Sequence, residues 1–292
     1  MGDQERAGVL VLAATPIGRP ADASPRLGEE LADADIVAAE DTRRMRRLAS
    51  SLGIDIGGRV VSYFEGNEEM RTPELVAALD DGARVVLVTD AGMPSVSDPG
   101  YRLVEAAVEA GTRVTSVPGP SAVVTALAVS GLPVARFSFE GFPPRRAGER
   151  ARWLDALAGE ERTMVFFESR HRLASTLTLM SEAFGEKRRA AVCRELTKKH
   201  EEVRRDGLAE LARWAQEFQP LGEITIVVSG ISDAGGAGGP LTVSMTEAVA
   251  IVEDRVAAGT SRKDAIAEVA RELRFSRREL YAAVVNARTD TT

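Results

Sequence analysis

The stretch VTDAGMPSVSDPG, Val88 to Gly100, decides how the chain is read. The segment leading into it, Arg84-Val-Val-Leu-Val-Thr89, is apolar on alternate and intervening positions alike. Such a run suits a strand covered on both faces, as in a parallel sheet. The segment leaving it, Tyr101-Arg-Leu-Val-Glu-Ala-Ala-Val-Glu-Ala-Gly111, has helical spacing, with Gly111 placed to end the helix. The stretch is therefore a strand-to-helix loop at the carboxyl end of a buried strand. In open α/β sheets that edge is where ligands bind. Gly92, Pro94 and Gly100 let backbone groups approach a ligand closely, although an ordinary surface turn would use the same residues.

The same alternation extends in both directions. Strands are expected at Val9–Ala14, Ile36–Ala39, Val60–Tyr63, Val85–Thr89 and Arg113–Val117. Helices are expected near Arg26–Ala34, Arg44–Leu52, Pro73–Asp81, Tyr101–Ala110 and Ser121–Ser130. This pattern predicts a mostly parallel sheet with helical crossovers. Leu132-Pro133 interrupts it. A second series follows, with strands at Phe137–Gly141, Thr163–Glu168, Ala190–Glu195 and Glu223–Ser229. Its helices fall near Glu149–Leu157, Arg172–Phe184 and Leu208–Phe218. Glycine then crowds the segment 230–240, which reads as a flexible linker. Beyond it the texture is all helical, with three N-terminal signatures: Ser244-x-x-Glu247, Ser261-x-x-Asp264 and Ser276-x-x-Glu279. The last two are close enough for helix-turn-helix geometry, or for a small bundle packed on the body. The expected fold class is thus α/β. Two α/β domains, 1–132 and 133–230, are followed by a linker, 231–240, and a helix-turn-helix-like tail, 241–292.

Composition limits the function classes. The 292 residues are 44% hydrophobic and 28% charged, as in a globular protein. No apolar run reaches the roughly 18 residues of a membrane helix, so no membrane partner is expected. The early segment Val9-Leu-Val-Leu-Ala-Ala is preceded by Asp3 and Glu5 and reads as a first strand, not a signal core. A single cysteine, Cys193, offers no internal disulfide and no metal cluster, which points to a reducing cytoplasm. A net charge of -7 argues against indiscriminate coating of nucleic acid. Local basic groups nevertheless stand out: Arg43, Arg44, Arg46 and Arg47; Arg145, Arg146, Arg150 and Arg152; Lys198, Lys199, Arg204 and Arg205. Each is either a solvated face or a place where a polyanion docks.

There is no G-x-G-x-x-G and no G-x-x-x-x-G-K-[ST] after the first strand, so the usual phosphate cradles are missing. Instead, strand after strand ends in Gly, Pro or acidic residues. These ends are Thr15-Pro-Ile-Gly18, Glu40-Asp-Thr-Arg43, Asp90-Ala-Gly-Met-Pro94 and Pro118-Gly-Pro-Ser121. In the second half they are Phe166-Phe-Glu-Ser-Arg-His-Arg172 and Arg194-Glu-Leu-Thr-Lys-Lys-His-Glu201. Recurrence at strand ends points to one crevice shared by the two halves. The ordered set TPIG, AAEDTR, TDAGMPSVSDPG, PGPSA, SGLP, FEGF, RELTKKHE and GE before the last strand resembles the ribosomal RNA small subunit methyltransferase I family, over about residues 8–230.

That resemblance implies the tetrapyrrole methylase fold, with S-adenosylmethionine in the cleft between two α/β domains. It implies transfer of a methyl group to the ribose 2′-hydroxyl of a cytidine in the decoding region of 16S rRNA within the small ribosomal subunit, by a homodimer. Backbone at Thr15, Pro16, Asp90, Ala91, Gly92, Pro94, Val96, Ser121 and Ala122 fits cofactor binding, and the resemblance adds Phe167, Leu196 and Glu223. Candidate RNA contacts are Arg43, Arg44, Arg145, Arg146 and Lys199, with Arg277 and Arg278 at the start of the last helix. The family pattern is not kept throughout: Arg19 and Pro20 follow TPIG, Met93 stands in DAGMP, Arg170 precedes His171, and Phe64 and Gly66 replace two histidines.

A ribose hydroxyl is a poor nucleophile, so a base or a cation near the developing alkoxide would help. Glu40, Asp41 and His171 are candidates for proton handling and Lys198 for the cation, and Asp98 and Glu195 could also accept a proton or orient a base. Two other functions share features of this sequence. A small-molecule tetrapyrrole methylase would use the same fold but needs no basic clusters. A ligand-sensing helix-turn-helix DNA-binding regulator would use the tail, but needs no polar residue at every strand end.

Overall fold

Val-, Leu- and Ala-rich segments form the first sheet: β1 (Val9–Ala13), β2 (Ile36–Ala39), β3 (Arg59–Ser62), β4 (Arg84–Val88) and β5 (Arg113–Val117). In this computed structural model, which describes residues 7–231, 245–257, 259–272, 276, 277 and 280–284, the strands lie in the order β3-β2-β4-β1-β5. All neighbours are parallel, as the unbroken apolar runs predict. Alternate residues serve opposite faces. Val9, Val11, Ala13, Val37, Val86 and Val88 meet Leu27 and Leu31 of α1 (Pro25–Asp33) and Met45 and Ala49 of α2 (Thr42–Leu52). Leu10, Leu12, Ile36, Val85 and Leu87 meet Leu75 and Leu79 of α3 (Glu68–Asp80) and Leu103 and Ala107 of α4 (Tyr101–Glu109). Each fully buried Leu contributes about 1.5–3 kcal/mol. Because every strand points the same way, the loops after β1, β2, β4 and β5 collect on one edge.

Helix α3 begins at Glu68, five residues before the expected Pro73. Pro73 lies inside the helix and forgoes the bond its N–H would make to the Glu69 carbonyl, while Glu68 and Glu69 face the positive end of the helix.

The second sheet differs from the first. Its strands are β6 (Phe137–Gly141), β7 (Thr163–Ser169), β8 (Arg189–Arg194), β9 (Glu202–Gly207) and β10 (Glu223–Val228), in the order β6-β7-β10-β8-β9. Only β6 and β7 are parallel, and the other pairs are antiparallel. Strand β9 has no counterpart among the sequence expectations. Its residues EVRRDG look like a basic loop, yet they pair along β8, with Val203 opposite Cys193. A charged strand at a sheet edge discourages further pairing. One face of this sheet is covered by α6 (Ala147–Leu157), α7 (Leu173–Phe184) and α8 (Leu208–Phe218), around Phe166, Leu177, Met180, Trp214 and Ile226.

The other face receives α5 (Ala122–Ser130) from the first half, so Val123, Ala126 and Leu127 pack with Val165, Ala191, Cys193 and Val227. Leu132 joins that cluster and the Pro133 carbonyl accepts from Thr163, so the Leu132-Pro133 crossing is tightly packed. Both sheets belong to one compact unit, which ends at Ile231.

Two further expectations are corrected here. The start of the glycine-rich segment is part of the body: Gly230 is buried and the Ile231 amide donates to Glu160. The expected linker from 232 onward lies outside the described residues. Arg150, counted in a basic group, is buried and donates to the Pro144 carbonyl and to Ser175.

The second unit contains α9 (Met245–Ala257), α10 (Arg262–Glu272) and helical residues 280–284. Ala248, Val252, Ile266, Val269, Leu280 and Val284 form its own small core. The Ser261 signature does what its residue types dictate: the hydroxyl accepts from the Asp264 amide and donates to its carboxylate. Arg277 is exposed, whereas Arg278, Ser244 and the side chains of Glu247 and Glu279 lie outside the described residues.

Candidate functional site

A cleft of about 710 Å³ opens where the carboxyl edge of the first sheet meets β7, β10 and the loop after β8. That volume is typical of a site for a small ligand or cofactor. Its first wall is built by the loops after β2, β4 and β5, including Glu40, Asp90–Met93, Val96–Asp98 and Ser121–Val123. Its second wall is Phe167–His171, Glu195, Leu196, Lys198 and Gly222–Thr225.

The first wall hangs on a short bridge. The Thr15 amide donates to the Gly92 carbonyl at 2.9 Å, and the Gly92 amide donates back to Thr15 at 3.0 Å. Gly92 sits at φ 83°, a backbone region that favours glycine. The chain then turns through two non-glycine residues with left-handed backbone, Ser95 at φ 70° and Ser97 at φ 61°. Such conformations cost about 1–3 kcal/mol each and cluster at functional sites. Glu40 accepts from the Asp90 amide at 3.0 Å, and Arg44 pairs with the Asp90 carboxylate at 2.9 Å. Burial raises the Asp90 carboxyl above its ordinary value, against the pull of Arg44. Asp98 is pushed further, to about 7, by burial and then by the neighbouring charges of Glu40 and Asp90.

The second wall uses the same backbone device. Glu195 at φ 51° and Thr197 at φ 64° form its turn. Here the charges are paired. Lys198 Nζ lies 2.9 Å from both Glu195 and Glu223. The Glu223 amide, and then Lys198, hold the Glu195 carboxyl below its usual range. Burial works against the Lys198 charge, but hydrogen bonds to Glu223 and Glu195 outweigh it and raise the ammonium above its ordinary value. Glu168, fully buried, accepts from Thr176 at 2.6 Å and pairs with Arg172 at 2.6 Å. The Phe167 ring is fixed by Phe139 and Phe142, with centroids 4.9 and 5.5 Å away. Arg170 donates to His171 Nε2 at 3.1 Å.

Of the residues expected at the cofactor, Asp90, Ala91, Gly92, Val96, Ser121, Ala122, Phe167, Leu196 and Glu223 line this cleft. Thr15, Pro16 and Pro94 are buried outside its lining, and Thr15 acts through the bridge to Gly92. Glu40, His171 and Lys198 line the cleft too. Asp41 does not: its carboxylate caps α2, accepting from the Arg43 and Arg44 amides at 2.8 and 3.1 Å, and these bonds lower its pKa. Arg44, expected on RNA, is drawn into the cleft by Asp90. Arg43, Arg145, Arg146 and Lys199 are exposed. In the third basic group, Arg205 donates to the Val129 and Ser130 carbonyls and Arg204 lies over the Trp214 ring. Sequence reasoning missed Glu168 and Arg170 as lining residues; both sit in a quoted strand end, which was the available signal.

A fold of two such halves around one ligand cleft defines a class. The family of Tetrapyrrole (Corrin/Porphyrin) Methylases matches residues 9–212. Among solved structures, a cobalamin biosynthetic enzyme, cobalt precorrin-4 methyltransferase, superposes with a TM-score of 0.57 at 18% identity, covering 78% of this chain and 97% of the other. At that identity the likeness concerns the fold. Sequence relatives are nearer. The ribosomal RNA small subunit methyltransferase I of Mycobacterium tuberculosis (strain CDC 1551 / Oshkosh) is 53% identical over 285 residues, 97% of each chain. The protein of that name from Halalkalibacterium halodurans is 40% identical, over 94% of this chain and 93% of its own. The chain belongs to the ribosomal RNA small subunit methyltransferase I family of the tetrapyrrole methylases.

The cofactor of this family is S-adenosylmethionine. The residues present suit it. Ile17, Val123, Phe167 and Leu196 offer apolar surface for an adenine ring, and the carboxylates of Glu40 and Asp90 suit a ligand bearing an ammonium and a sulfonium. When bound, the cofactor supplies an electrophilic methyl group. The second wall, whose carboxylates are all engaged by cations, contributes shape and exclusion of water.

Proposed function

We propose that the protein transfers a methyl group from S-adenosylmethionine to the ribose 2′-hydroxyl of a cytidine in the decoding region of 16S rRNA, in the small ribosomal subunit. The observation that carries this reading is the cleft itself, whose two walls are made of the strand-end motifs that the chain shares with the family. The relatives' names specify small-subunit ribosomal RNA, and a nucleoside splayed out of an RNA chain is the size of ligand that a cleft of about 710 Å³ takes. Acidic side chains inside the cleft repel phosphate, so the RNA backbone stays at the rim. Arg43, Arg145, Arg146 and Lys199 are exposed cations of the body that phosphate can reach, and Arg277 is exposed in the second unit. Reactive atoms are brought together by position: binding of one nucleoside beside the cofactor replaces an encounter by an intramolecular step.

The test is transfer of labelled methyl from S-adenosylmethionine to small subunits isolated from cells lacking this enzyme, followed by mapping of the modified nucleotide. One 2′-O-methylcytidine in the decoding region is expected. Methylation of a base, or label accepted by a tetrapyrrole instead of RNA, would overturn the reading.

A further inference from the structure

The cleft contains six carboxylates, and five have partners. Glu40 accepts from the Asp90 amide, Asp90 pairs with Arg44, Glu168 with Arg172 and Thr176, and Glu195 and Glu223 share Lys198. Asp98 is the exception: among the described residues no hydrogen bond or ion pair engages it. It is half-buried on the cleft wall, beside Ser97, which has left-handed backbone. The loop is pinned from behind, where the Gly100 amide donates to Glu68 at 2.8 Å. The groups facing Asp98 are Glu40 from the end of β2 and Asp90 from the end of β4, with Arg44 of α2 already engaged by Asp90. Glu68 of α3 and Arg102 of α4, 4.0 Å apart, lie beyond the loop. Arg170, His171, Glu195 and Lys198 line the same cleft from the second wall.

A carboxylate with no donor attached, held in a partly dry site among like charges, has its lone pairs available to a hydroxyl. Carboxylates already bound to N–H groups or cations have fewer lone pairs free for a hydroxyl. We propose that Asp98 is the general base that takes the proton from the acceptor hydroxyl during methyl transfer, an inference that rests on the function proposed above. As Asp98 accepts that proton, an oxygen lone pair forms the bond to the methyl carbon, and the carbon–sulfur bond breaks with its electron pair going to sulfur. The products are a methyl ether, a neutral thioether and a protonated Asp98, which returns its proton to water. A base that titrates near neutrality suits this step at physiological pH, as the value of about 7 for Asp98 allows.

The experiment compares wild-type protein with Asp98→Asn in three measurements. Calorimetry with S-adenosylmethionine should give dissociation constants within about threefold, because Asn keeps the size and polarity of the site. Single-turnover methylation of small subunits lacking the modification should slow by about 10²–10⁴-fold. The wild-type rate should rise with pH and level off above about 7, and the variant should lack that limb. Melting temperature supplies a readout independent of activity. An acid whose folded value is raised from 3.8 to about 7 destabilises the fold above that window and not below it. The variant should therefore melt higher than wild type at pH 8 and equal to it at pH 3. A variant that keeps its rate within about threefold, or keeps the pH limb, overturns the proposal. So do equal melting temperatures at both pH values, or a loss of cofactor affinity that accounts for the whole rate effect. If the wild type itself methylates no RNA, the functional reading fails first and the base assignment with it, whereas failure of the base assignment alone leaves wild-type methylation intact.

Discussion

The two loops facing each other across the cleft are built alike and charged differently. Each turns on two left-handed residues separated by one other, Ser95 and Ser97 in one and Glu195 and Thr197 in the other. Each sits beside a glycine with positive φ, Gly92 at 83° and Gly222 at 104°. In the second wall the acids are neutralised: Glu195 and Glu223 share Lys198, and a Cβ on Gly222 would fall 2.4 Å from the Glu195 side chain. In the first wall Glu40, Asp90 and Asp98 crowd together with a single arginine engaged among them. The same backbone strain therefore serves two ends. Paired charges stabilise a shape, whereas unpaired like charges hold a group ready for chemistry at some expense in stability.

Substitutions can break or sharpen this contrast. The largest effect is expected from Glu168→Ala, which removes the buried partner of Arg172 and Thr176. Breaking a buried pair costs about 3–5 kcal/mol, so the melting temperature should fall by roughly 10 °C. A fall of only a degree or two would mean that the second wall is not held by its ion pairs. Next comes Gly92→Leu in the first wall. Its φ of 83° resists any L side chain, and the added atoms would point past Ile17 and Pro120 into the cleft. Displacement of a ligand on this scale weakens binding about 100-fold, measurable by titration with S-adenosylmethionine.

Lys198→Met should act more mildly, by about 1 kcal/mol, since Glu223 is mostly exposed and water screens the pair. Glu195 has a lowered folded pKa, so its pairing stabilises the fold above the ordinary value of 4.5 and the benefit disappears as pH falls through the depressed value. Denaturation of wild type and variant at pH 7 and at pH 3 should show a smaller gap at the lower pH. The smallest effect on the fold is expected for Arg145→Ala with Arg146→Ala, both exposed. Stability and cofactor affinity should be unchanged, while RNA affinity falls and its logarithmic salt dependence shrinks by about one for each phosphate no longer neutralised. An unchanged salt slope would remove these arginines from the RNA surface.

The first sheet was readable because its three inner strands, β1, β2 and β4, are buried on both faces and carry apolar runs. Strand β9 was not, because an edge strand with Arg204, Arg205 and Asp206 facing water has the composition of a loop. The strand-end motifs located both walls of the cleft, since residue type and position after a strand are local properties. The state of each charge is not local. Asp41 looks like a cleft acid and proves to be a helix cap, and Arg150 looks like a free cation and proves to be buried. Asp98 differs from its neighbours only in what it lacks, a partner, and that depends on which side chains folding brings opposite it.

Calorimetric titration of S-adenosylmethionine into the wild-type protein tests the shared cleft most directly. One binding event per chain is expected, accompanied by a rise in melting temperature, with both absent in Gly92→Leu. A folded wild-type protein that gives no heat and no thermal shift with this ligand would contradict the assignment of the cleft.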